Sequence, residues 1–384
     1  MIRFLKISGT VIFVLLIAVI ILITFDFGYI FRGMQATYFQ GEKTAFIDDY
    51  PHFENRLIEA GNEVDTWPEH SNYNTATPTD DLAELNEELE TAAFLIIKND
   101  SIWFEEYYQE YGPNSKTNSF SMAKSIVSAM LGKAIKNGHI TSLEQPVSDF
   151  FPQFKEELKV GDLASMASGL NWNENYYNPF GMTARAYFDE NIRELVLRLQ
   201  VTETPGESFK YLSGNTILLG MVIEKATGEN LSEYLSKSFW KPLGMQEDAL
   251  WQLDSEENGM EKAYCCIASN ARDFARFGKL YKNKGKWNGQ QLLDSEFVAR
   301  STEPRFEESP QYGYGFWLSD YKEKDIFYMR GIRGQYVIVT PDDDLIIVRL
   351  GENLIKKDED EEHAPDFYKY IDETYKMLND AANN

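Results

Sequence analysis

The chain has 384 residues, with 37 basic and 61 acidic side chains, so its formal net charge is −24. Hydrophobic residues make up 43% of it, enough for a large core, which excludes an intrinsically disordered chain. The acidic surplus argues against nucleic-acid binding, because neutralising phosphates requires an excess of Lys and Arg. The two cysteines, Cys265 and Cys266, are adjacent, and a disulfide between neighbours is strained, so we expect no disulfide and no zinc-finger site.

The N-terminus contains a predicted membrane anchor. Residues 7–25 form an almost uninterrupted apolar run of 19 residues, about the length that crosses a hydrocarbon core of ~30 Å. Arg3 and Lys6 precede the run, and positive charge before a span places the rest of the chain outside the cytoplasm. A cleaved signal peptide is the alternative, but no Ala-x-Ala-like site and no lipid-accepting cysteine follow the run. We therefore expect an uncleaved single-pass anchor over residues 1–25.

The chain after the anchor divides into two predicted parts. Residues 26–90 mix aromatic and acidic side chains and are interpreted as a tether and N-terminal extension. Residues 91–384 are interpreted as one hydrolase-sized domain. The domain begins with a short apolar run over residues 91–97, followed by Asn99-Asp100 and a second segment over residues 102–108, and this order predicts a hairpin.

Helices are predicted in the middle of the domain and strands towards its end. Apolar residues recur at helical spacing over residues 121–137 and 216–226. Later runs are strand-like and precede a final helix; they cover residues 314–318, 326–329, 335–340 and 345–350, and the helix covers 366–378. Because strands lie at both ends with helices between them, we predict an α/β (α+β) fold. Its antiparallel sheet is built from both chain ends, with an inserted helical region.

Several familiar catalytic arrangements are absent from the sequence. There is no Gly-x-Ser-x-Gly motif, no His-Glu-x-x-His motif and no glycine-rich phosphate loop. With only four histidines, neither a Ser-His-Asp triad nor a histidine metal centre is well supported. We therefore predict no metal and no other cofactor, and a lysine is the base that remains.

A serine three residues before a lysine occurs three times, at Ser121, Ser238 and Ser319. On a helix, residues three apart lie on one face, so Lys124 would stand beside the Ser121 hydroxyl. Only Ser121 begins a long apolar helix, in which a desolvated lysine can lose its proton and accept one from serine. An ordinary helix-capping serine is the alternative, and the pattern alone leaves both open.

A tyrosine is the second candidate. Tyr-x-Asn or Tyr-x-Ser occurs four times, at Tyr176, Tyr211, Tyr234 and Tyr281. Tyr211 stands just before the predicted buried helix, where its phenol could be held rigidly at a cleft. It could relay protons if nearby cations lower its pKa.

Three ordered motifs together resemble those of the serine beta-lactamase and penicillin-binding-protein superfamily. They are Phe120–Ser125, Tyr211–Ser213 and Gly331–Gln335. The nearest resemblance is to the class C-like branch, which includes esterases, D-aminopeptidases and 6-aminohexanoate-oligomer hydrolases. The similarity covers roughly residues 91–351 and implies a beta-lactamase/transpeptidase-like fold.

The resemblance implies a role for each motif residue. Ser121 corresponds to the acylated nucleophile, Lys124 to its base partner and Tyr211 to a second proton relay. The backbone N–H groups of Ser121 and Ile332 correspond to the oxyanion hole, where each donor can lower the barrier by about 3 kcal/mol. Tyr176 matches a loop tyrosine that contacts the leaving group, and a plain surface tyrosine is the alternative.

The sequence also departs from the family pattern. The Lys-Thr-Gly motif of beta-lactamases is replaced by Met-Arg-Gly ending at Gly331, so Arg330 or Arg333 would supply charge only if it points inward. Ser213 stands where beta-lactamases have asparagine, and Arg333 where oligomer-hydrolase relatives often have histidine. Ser213, Gly331 and Arg333 are nevertheless candidate substrate-binding residues.

The sequence therefore predicts a membrane-anchored serine hydrolase whose catalytic domain lies outside the cytoplasm. It would cleave an ester or an amide, including short peptide or oligomer amides, through an acyl-enzyme on Ser121. A beta-lactamase or D-Ala-type cell-wall peptidase is one alternative. A non-catalytic module that binds cell-wall fragments is another.

Overall fold

The structure is a computed structural model, and it describes residues 13, 14, 16, 17, 19–358 and 361–383. From residue 26 onward, the α-helices are α1 Tyr29–Ala36, α2 Asp80–Glu88, α3 Met122–Lys136, α4 Val160–Ala164, α5 Met182–Phe188, α6 Ile192–Leu197, α7 Ser213–Thr227, α8 Leu231–Leu235, α9 Ala271–Lys282, α10 Ser295–Ser301 and α11 Pro365–Asn383. The strands are β1 Asn55–Ile58, β2 Thr91–Lys98, β3 Ser101–Tyr107, β4 Thr117–Asn118, β5 Ala249–Gln252, β6 Ile267–Ser269, β7 Lys286–Trp287, β8 Gln290–Gln291, β9 Trp317–Ser319, β10 Ile326–Gly331, β11 Gln335–Thr340 and β12 Leu345–Gly351.

The larger sheet has six antiparallel strands in the order β3-β2-β12-β11-β10-β9. β2 and β3 come from the start of the predicted domain and the other four strands from its end, so the predicted sheet built from both chain ends is confirmed. In its central register Ile97 pairs with Ile346, and Val337 pairs with Val348. β2 is buried from Thr91 to Ile97, which explains its uninterrupted apolar run.

Helices cover both faces of this sheet. On one face, Phe94 of β2 belongs to a cluster with Leu82 of α2 and Phe367 of α11. On the other face, Leu95 joins the main core, which includes Ile126 of α3. Neighbouring residues of a strand point to opposite faces, so each face contributes to its own apolar cluster.

The predicted helices are present with small differences in length. The helix expected over residues 121–137 is α3, which is buried along most of its length and packs against α7. The helix expected over residues 216–226 is α7, which begins three residues earlier, and α11 is longer than expected. Ser121, the first residue of the Ser-x-x-Lys motif, therefore lies at the N-terminus of a central buried helix.

A second sheet has four strands in the order β1-β5-β6-β4. Asn118 of β4 pairs with Ala268 of β6 shortly before Ser121. β1 lies within residues 26–90, and its Arg56 pairs with Trp251 of β5. Part of the segment interpreted as a tether thus completes a sheet, while the boundary at residue 90 stays a prediction.

The chain before β1 docks on the loop that precedes α5 and on α5 itself. The ring of Phe27 lies 5.3 Å from that of Phe180, and the Arg185 guanidinium of α5 lies 5.6 Å from the Tyr29 ring centre. Arg32 forms an ion pair at 3.5 Å with Asp189, which directly follows α5. Among the described residues we find no helix that has both the length and the apolar character needed to cross a bilayer. The predicted span over residues 7–25 falls partly on residues outside this description.

One expectation from the sequence was wrong. Cys265 and Cys266 are joined by a disulfide, although neighbouring cysteines were expected to stay unpaired. The backbone at Cys266 has φ +74°, in the left-handed region, and this turn permits adjacent side chains to meet. Both residues are buried, so the disulfide belongs to the core.

Candidate active site

Ser121 and Lys124 meet at the start of α3. The Lys124 Nζ atom lies 3.0 Å from the Ser121 Oγ atom and 2.9 Å from the Tyr264 carbonyl oxygen. The Ser121 side chain makes no helix-capping hydrogen bond, so its hydroxyl remains available to Lys124. The helical spacing of the two residues therefore produces the contact that it predicted.

The environment of Lys124 favours a neutral amine. Its side chain is only 3% exposed, and burial lowers its pKa from 10.5 to about 8, against an opposing effect of the Glu174 charge. Burial disfavours the charged form because the protein interior solvates an ammonium group poorly. An appreciable fraction of Lys124 can then accept a proton from Ser121 near neutral pH.

Tyr211 lies beside this pair. Lys124 Nζ is 5.1 Å from the centre of the Tyr211 ring, and that ring packs 5.3 Å from Trp317. Burial raises the pKa of the Tyr211 phenol, against a hydrogen bond with Ser121 that lowers it. The Arg330 charge also lowers this pKa, but desolvation has the larger effect, so the condition that nearby cations lower it is not met. Tyr211 therefore stays protonated and is suited to donate its proton rather than to act as a phenolate base.

A cavity of about 430 Å³ opens onto the Ser121 hydroxyl. Its lining includes Ser121, Tyr176, Tyr211, Trp317, Arg330 and Ile332. The structure thus brings most of the predicted site residues to one cleft, with Lys124 beneath Ser121. Among the described residues, no cluster of His, Cys, Asp and Glu side chains is arranged to hold a metal ion.

Gly331 brings the end of β10 against the turn before Ser121. A Cβ atom at this position would lie 2.4 Å from the Ser119 carbonyl oxygen and 3.1 Å from Gln335 Cβ. Only glycine permits this approach, which also sets the position of Ile332 beside the cavity. The oxyanion role of the Ser121 and Ile332 N–H groups stays a prediction.

We expect Gly331→Ala to damage both the site and the fold. The added methyl group has no room, so β10 must move away from the turn, and overpacking of this kind lowers the free energy of unfolding by about 1–3 kcal/mol. Displacing an oxyanion donor should also lower kcat for p-nitrophenyl acetate by about 10²-fold. Gly112→Ala is the matched control, because a Cβ atom there meets nothing within 4 Å. Unchanged kcat in Gly331→Ala would contradict this account of β10.

Ser213 and Tyr176 are both held by Glu174. The Glu174 carboxylate accepts hydrogen bonds from the Ser213 N–H at 2.6 Å and the Ser213 hydroxyl at 2.7 Å. It also accepts from the Tyr176 hydroxyl at 2.5 Å and from Trp172 Nε1 at 2.7 Å. Glu174 therefore orients two predicted substrate-binding residues: Tyr176, which lines the cavity, and Ser213, which lies behind the cavity wall.

The two arginines near Gly331 point in different directions. Arg333 forms an ion pair with Glu352 at 2.5 Å and does not line the cavity, so its predicted contact with substrate has no support in the geometry. Arg330 does line the cavity and lies 5.0 Å from the Trp317 ring. In the described part of the chain we find no ion pair within 4.0 Å between Arg330 and an acidic side chain.

This geometry agrees with a comparison to known protein families. The family model described as Beta-lactamase matches residues 78–366. The chain belongs to the Beta-lactamase family. The predicted resemblance is confirmed, and the chain is a serine hydrolase of the Ser-x-x-Lys type.

Three proteins are examples of those that this chain resembles. The 6-aminohexanoate-dimer hydrolase of Paenarthrobacter ureafaciens is 26% identical over 302 residues, which cover 72% of this chain and 76% of the relative. A Bacillus anthracis structure assigned as a 6-aminohexanoate-dimer hydrolase is 21% identical with a TM-score of 0.72, covering 87% of this chain and 91% of that one. A family VIII carboxylesterase structure is 15% identical with a TM-score of 0.59, covering 78% and 98%. The two structural matches establish the fold.

Sequence reasoning missed several residues of this beta-lactamase-family site, among them Phe209 and Trp317 of the cavity lining as well as Glu174 and Tyr264. Glu174 was passed over although it stands two residues before Tyr176, and an acid at that spacing was the available signal. Tyr264 contributes its backbone carbonyl, which no side-chain pattern can reveal, and its ring centre lies 5.4 Å from Lys124 Nζ.

Proposed function

We propose that this chain hydrolyses an ester or an amide through an acyl-enzyme on Ser121. The observation that carries the proposal is the 3.0 Å contact between the Ser121 hydroxyl and the buried amine of Lys124. Neutral Lys124 takes the hydroxyl proton while Oγ attacks the substrate carbonyl carbon. The N–H groups of Ser121 and Ile332 would stabilise the resulting oxyanion.

Tyr211 completes the proposed proton transfer. Its protonated phenol donates to the leaving alcohol or amine as the bond to the acyl carbon breaks, and the proton on Lys124 restores the phenol. Water then attacks the acyl-enzyme, with the same two groups working in the opposite direction. Tyr176 is placed at the cavity wall, where it can contact the leaving group.

The cavity favours a small substrate with an apolar chain. Tyr176, Phe209, Tyr211 and Trp317 supply aromatic surface around Ser121. Aromatic walls with a few convergent polar groups are typical of small-molecule sites. The relatives named as an amide-oligomer hydrolase and a carboxylesterase support amide and ester substrates for this chain as well.

Active-site labelling tests the proposal. Incubation of the full chain with a fluorophosphonate should give one adduct, which peptide mass mapping places on Ser121. Competition with p-nitrophenyl acetate, the 6-aminohexanoate dimer and nitrocefin then ranks ester, amide and beta-lactam substrates. A folded protein that carries no adduct on Ser121 would refute the proposal. Nitrocefin turnover would favour the beta-lactamase alternative, and ligand binding without any turnover the non-catalytic module.

We also propose that residues 7–25 anchor the chain in the cell membrane, with the catalytic domain outside the cytoplasm. Between residues 13 and 25, large apolar side chains are exposed, from 42% for Ile17 to 68% for Phe25. Such a surface is costly in water and is suited to lipid. Deleting residues 1–25 should move the protein from the membrane fraction, resistant to alkaline carbonate, to the soluble fraction. An unchanged distribution would contradict the anchor.

A further inference from the structure

A buried carboxylate lies beneath the turn that presents Ser121. Asp49 is 1% exposed and precedes residues 78–366, which match the family model. Its Oδ1 atom accepts hydrogen bonds from Asn118 Nδ2 and from Gln252 Nε2, both at 2.9 Å. Its Oδ2 atom accepts from the Tyr187 hydroxyl at 2.5 Å. Every contact of this carboxylate is with a donor, so Asp49 serves as an acceptor in a site closed to water.

Asn118 connects Asp49 to the catalytic turn. The Asn118 Oδ1 atom accepts the backbone N–H of Phe120 at 2.8 Å. Phe120 directly precedes Ser121 and has φ +43°, a left-handed conformation that is unfavourable for a bulky side chain. The hydrogen bond from the Phe120 N–H to Asn118 helps to hold this left-handed conformation, because an unfavourable backbone conformation persists only where surrounding contacts stabilise it. The position of the Ser121 hydroxyl depends on this turn.

The orientation of the Asn118 amide is the critical point. An amide presents a donor at one end and an acceptor at the other. Because Asp49 Oδ1 only accepts, the Asn118 nitrogen faces Asp49 and the Asn118 oxygen faces the Phe120 N–H. Without an acceptor at residue 49, the Asn118 nitrogen would keep only its 3.1 Å hydrogen bond to the Tyr187 hydroxyl, which itself donates to Asp49. The amide would then be held less firmly against the Phe120 N–H.

We infer that Asp49 is a positioning residue for Ser121, acting through Asn118 on the backbone of Phe120; the inference rests on the proposed function. The segment interpreted as a tether then supplies part of the catalytic apparatus. Burial raises the pKa of Asp49, while its hydrogen bonds with Tyr187, Asn118 and Gln252 and the charge of Lys262 lower it. The role needs only an acceptor at Oδ1, so it does not depend on the charge of the carboxyl group.

The test compares three variants of the full chain. Asp49→Leu removes the acceptor in a similar volume, and Asp49→Asn keeps a carbonyl oxygen for Asn118. Gln252→Leu is the matched control, because it removes the other donor to the same oxygen but leaves the Asn118 contact. Each is assayed for kcat and KM with p-nitrophenyl acetate, for the rate of fluorophosphonate labelling of Ser121, and for the thermal unfolding midpoint.

If the Ser121 hydroxyl is displaced, kcat should fall while KM should change little. Asp49→Leu should lower kcat and the labelling rate by about ten-fold or more and keep KM within about two-fold, because small misplacements of reacting groups are costly. Asp49→Asn should stay within about three-fold of wild type, since its carbonyl oxygen replaces Oδ1. Gln252→Leu should lose a comparable amount of stability but keep kcat within about three-fold.

A double-mutant cycle tests the route through Asn118. If Asp49 acts on the turn only through Asn118, the double variant Asp49→Leu/Asn118→Leu should be as slow as Asn118→Leu alone. Additive losses, a folded Asp49→Leu with wild-type kcat, or equal losses in Asp49→Leu and Gln252→Leu would each overturn the inference. If Asp49→Leu fails to fold, Asp49→Ser replaces it in the test. The serine side chain is too short to reach Asn118, so the same fall in kcat and in labelling rate is expected. A wild-type chain that neither labels nor hydrolyses refutes the proposed function instead.

Discussion

Replacing Ser121 by alanine should lower kcat/KM for p-nitrophenyl acetate by about 10⁴-fold or more, because it removes the atom that would form the acyl bond. The fold should persist, since the Ser121 side chain makes no helix-capping hydrogen bond and its contacts are with Lys124 and Tyr211. Fluorophosphonate labelling should disappear while the thermal unfolding midpoint stays close to that of wild type.

The matched control for this variant is another serine of the same pattern. Ser319 also precedes a lysine by three residues, but it ends β9 and does not line the cavity at Ser121. Ser319→Ala should therefore keep wild-type labelling and turnover. If Ser121→Ala retains turnover while Ser319→Ala loses it, the nucleophile has been assigned to the wrong motif.

Replacing Lys124 by methionine should lower kcat by about 10³-fold, the size of effect that general-base catalysis supplies. In the wild type, kcat/KM should rise with pH through about 8, because Lys124 must lose its proton before it can accept one from Ser121. Lys124→Met should lack this rise. A pH profile of kcat/KM for both proteins measures the difference.

The same substitution should not reduce stability, which separates catalysis from folding. The pKa of Lys124 falls from 10.5 to about 8 on folding, so between these pH values the unfolded chain binds more protons. Wild-type stability should therefore rise with pH across this window, and below about pH 8 the buried ammonium group is a net cost. Lys124→Met removes that cost, so its unfolding midpoint at pH 7 should equal or exceed that of wild type.

Lys133 provides the control, because it lies on the same helix and its Nζ atom contacts the Leu292 carbonyl oxygen at 3.3 Å, away from Ser121. Lys133→Met should keep both kcat and the pH profile. A Lys124→Met protein with near-wild-type kcat, or with an unaltered profile, would assign the base to another group.

Features that depend on local spacing could be predicted from the sequence. The contact between Ser121 and Lys124 follows from three-residue spacing on a helix, and the burial of Lys124 follows from the apolar run around it. The larger sheet was predictable for a similar reason, because most residues of its long strands are apolar, as in β2 and β11. These patterns extend over a few residues, and periodicity detects them.

Features that depend on distant contacts could not be predicted. Asp49 and Tyr187 are 138 residues apart, and Glu174 and Ser213 are 39 apart. No local pattern connects such residues. The direction in which the Arg333 side chain points could not be predicted from the sequence either. It depends on the left-handed backbone of Arg333, with φ +63°, which turns the side chain towards Glu352.

The order of strands in the larger sheet has a consequence for synthesis. Ser121 is translated early, but β12 must insert between β2 and β11, and Gly331 must reach the Ser119 carbonyl before the cleft is complete. A nascent chain that ends before residue 351 therefore has its candidate nucleophile without the opposite wall of the site. Hydrolytic activity should begin only after the last strands have left the ribosome.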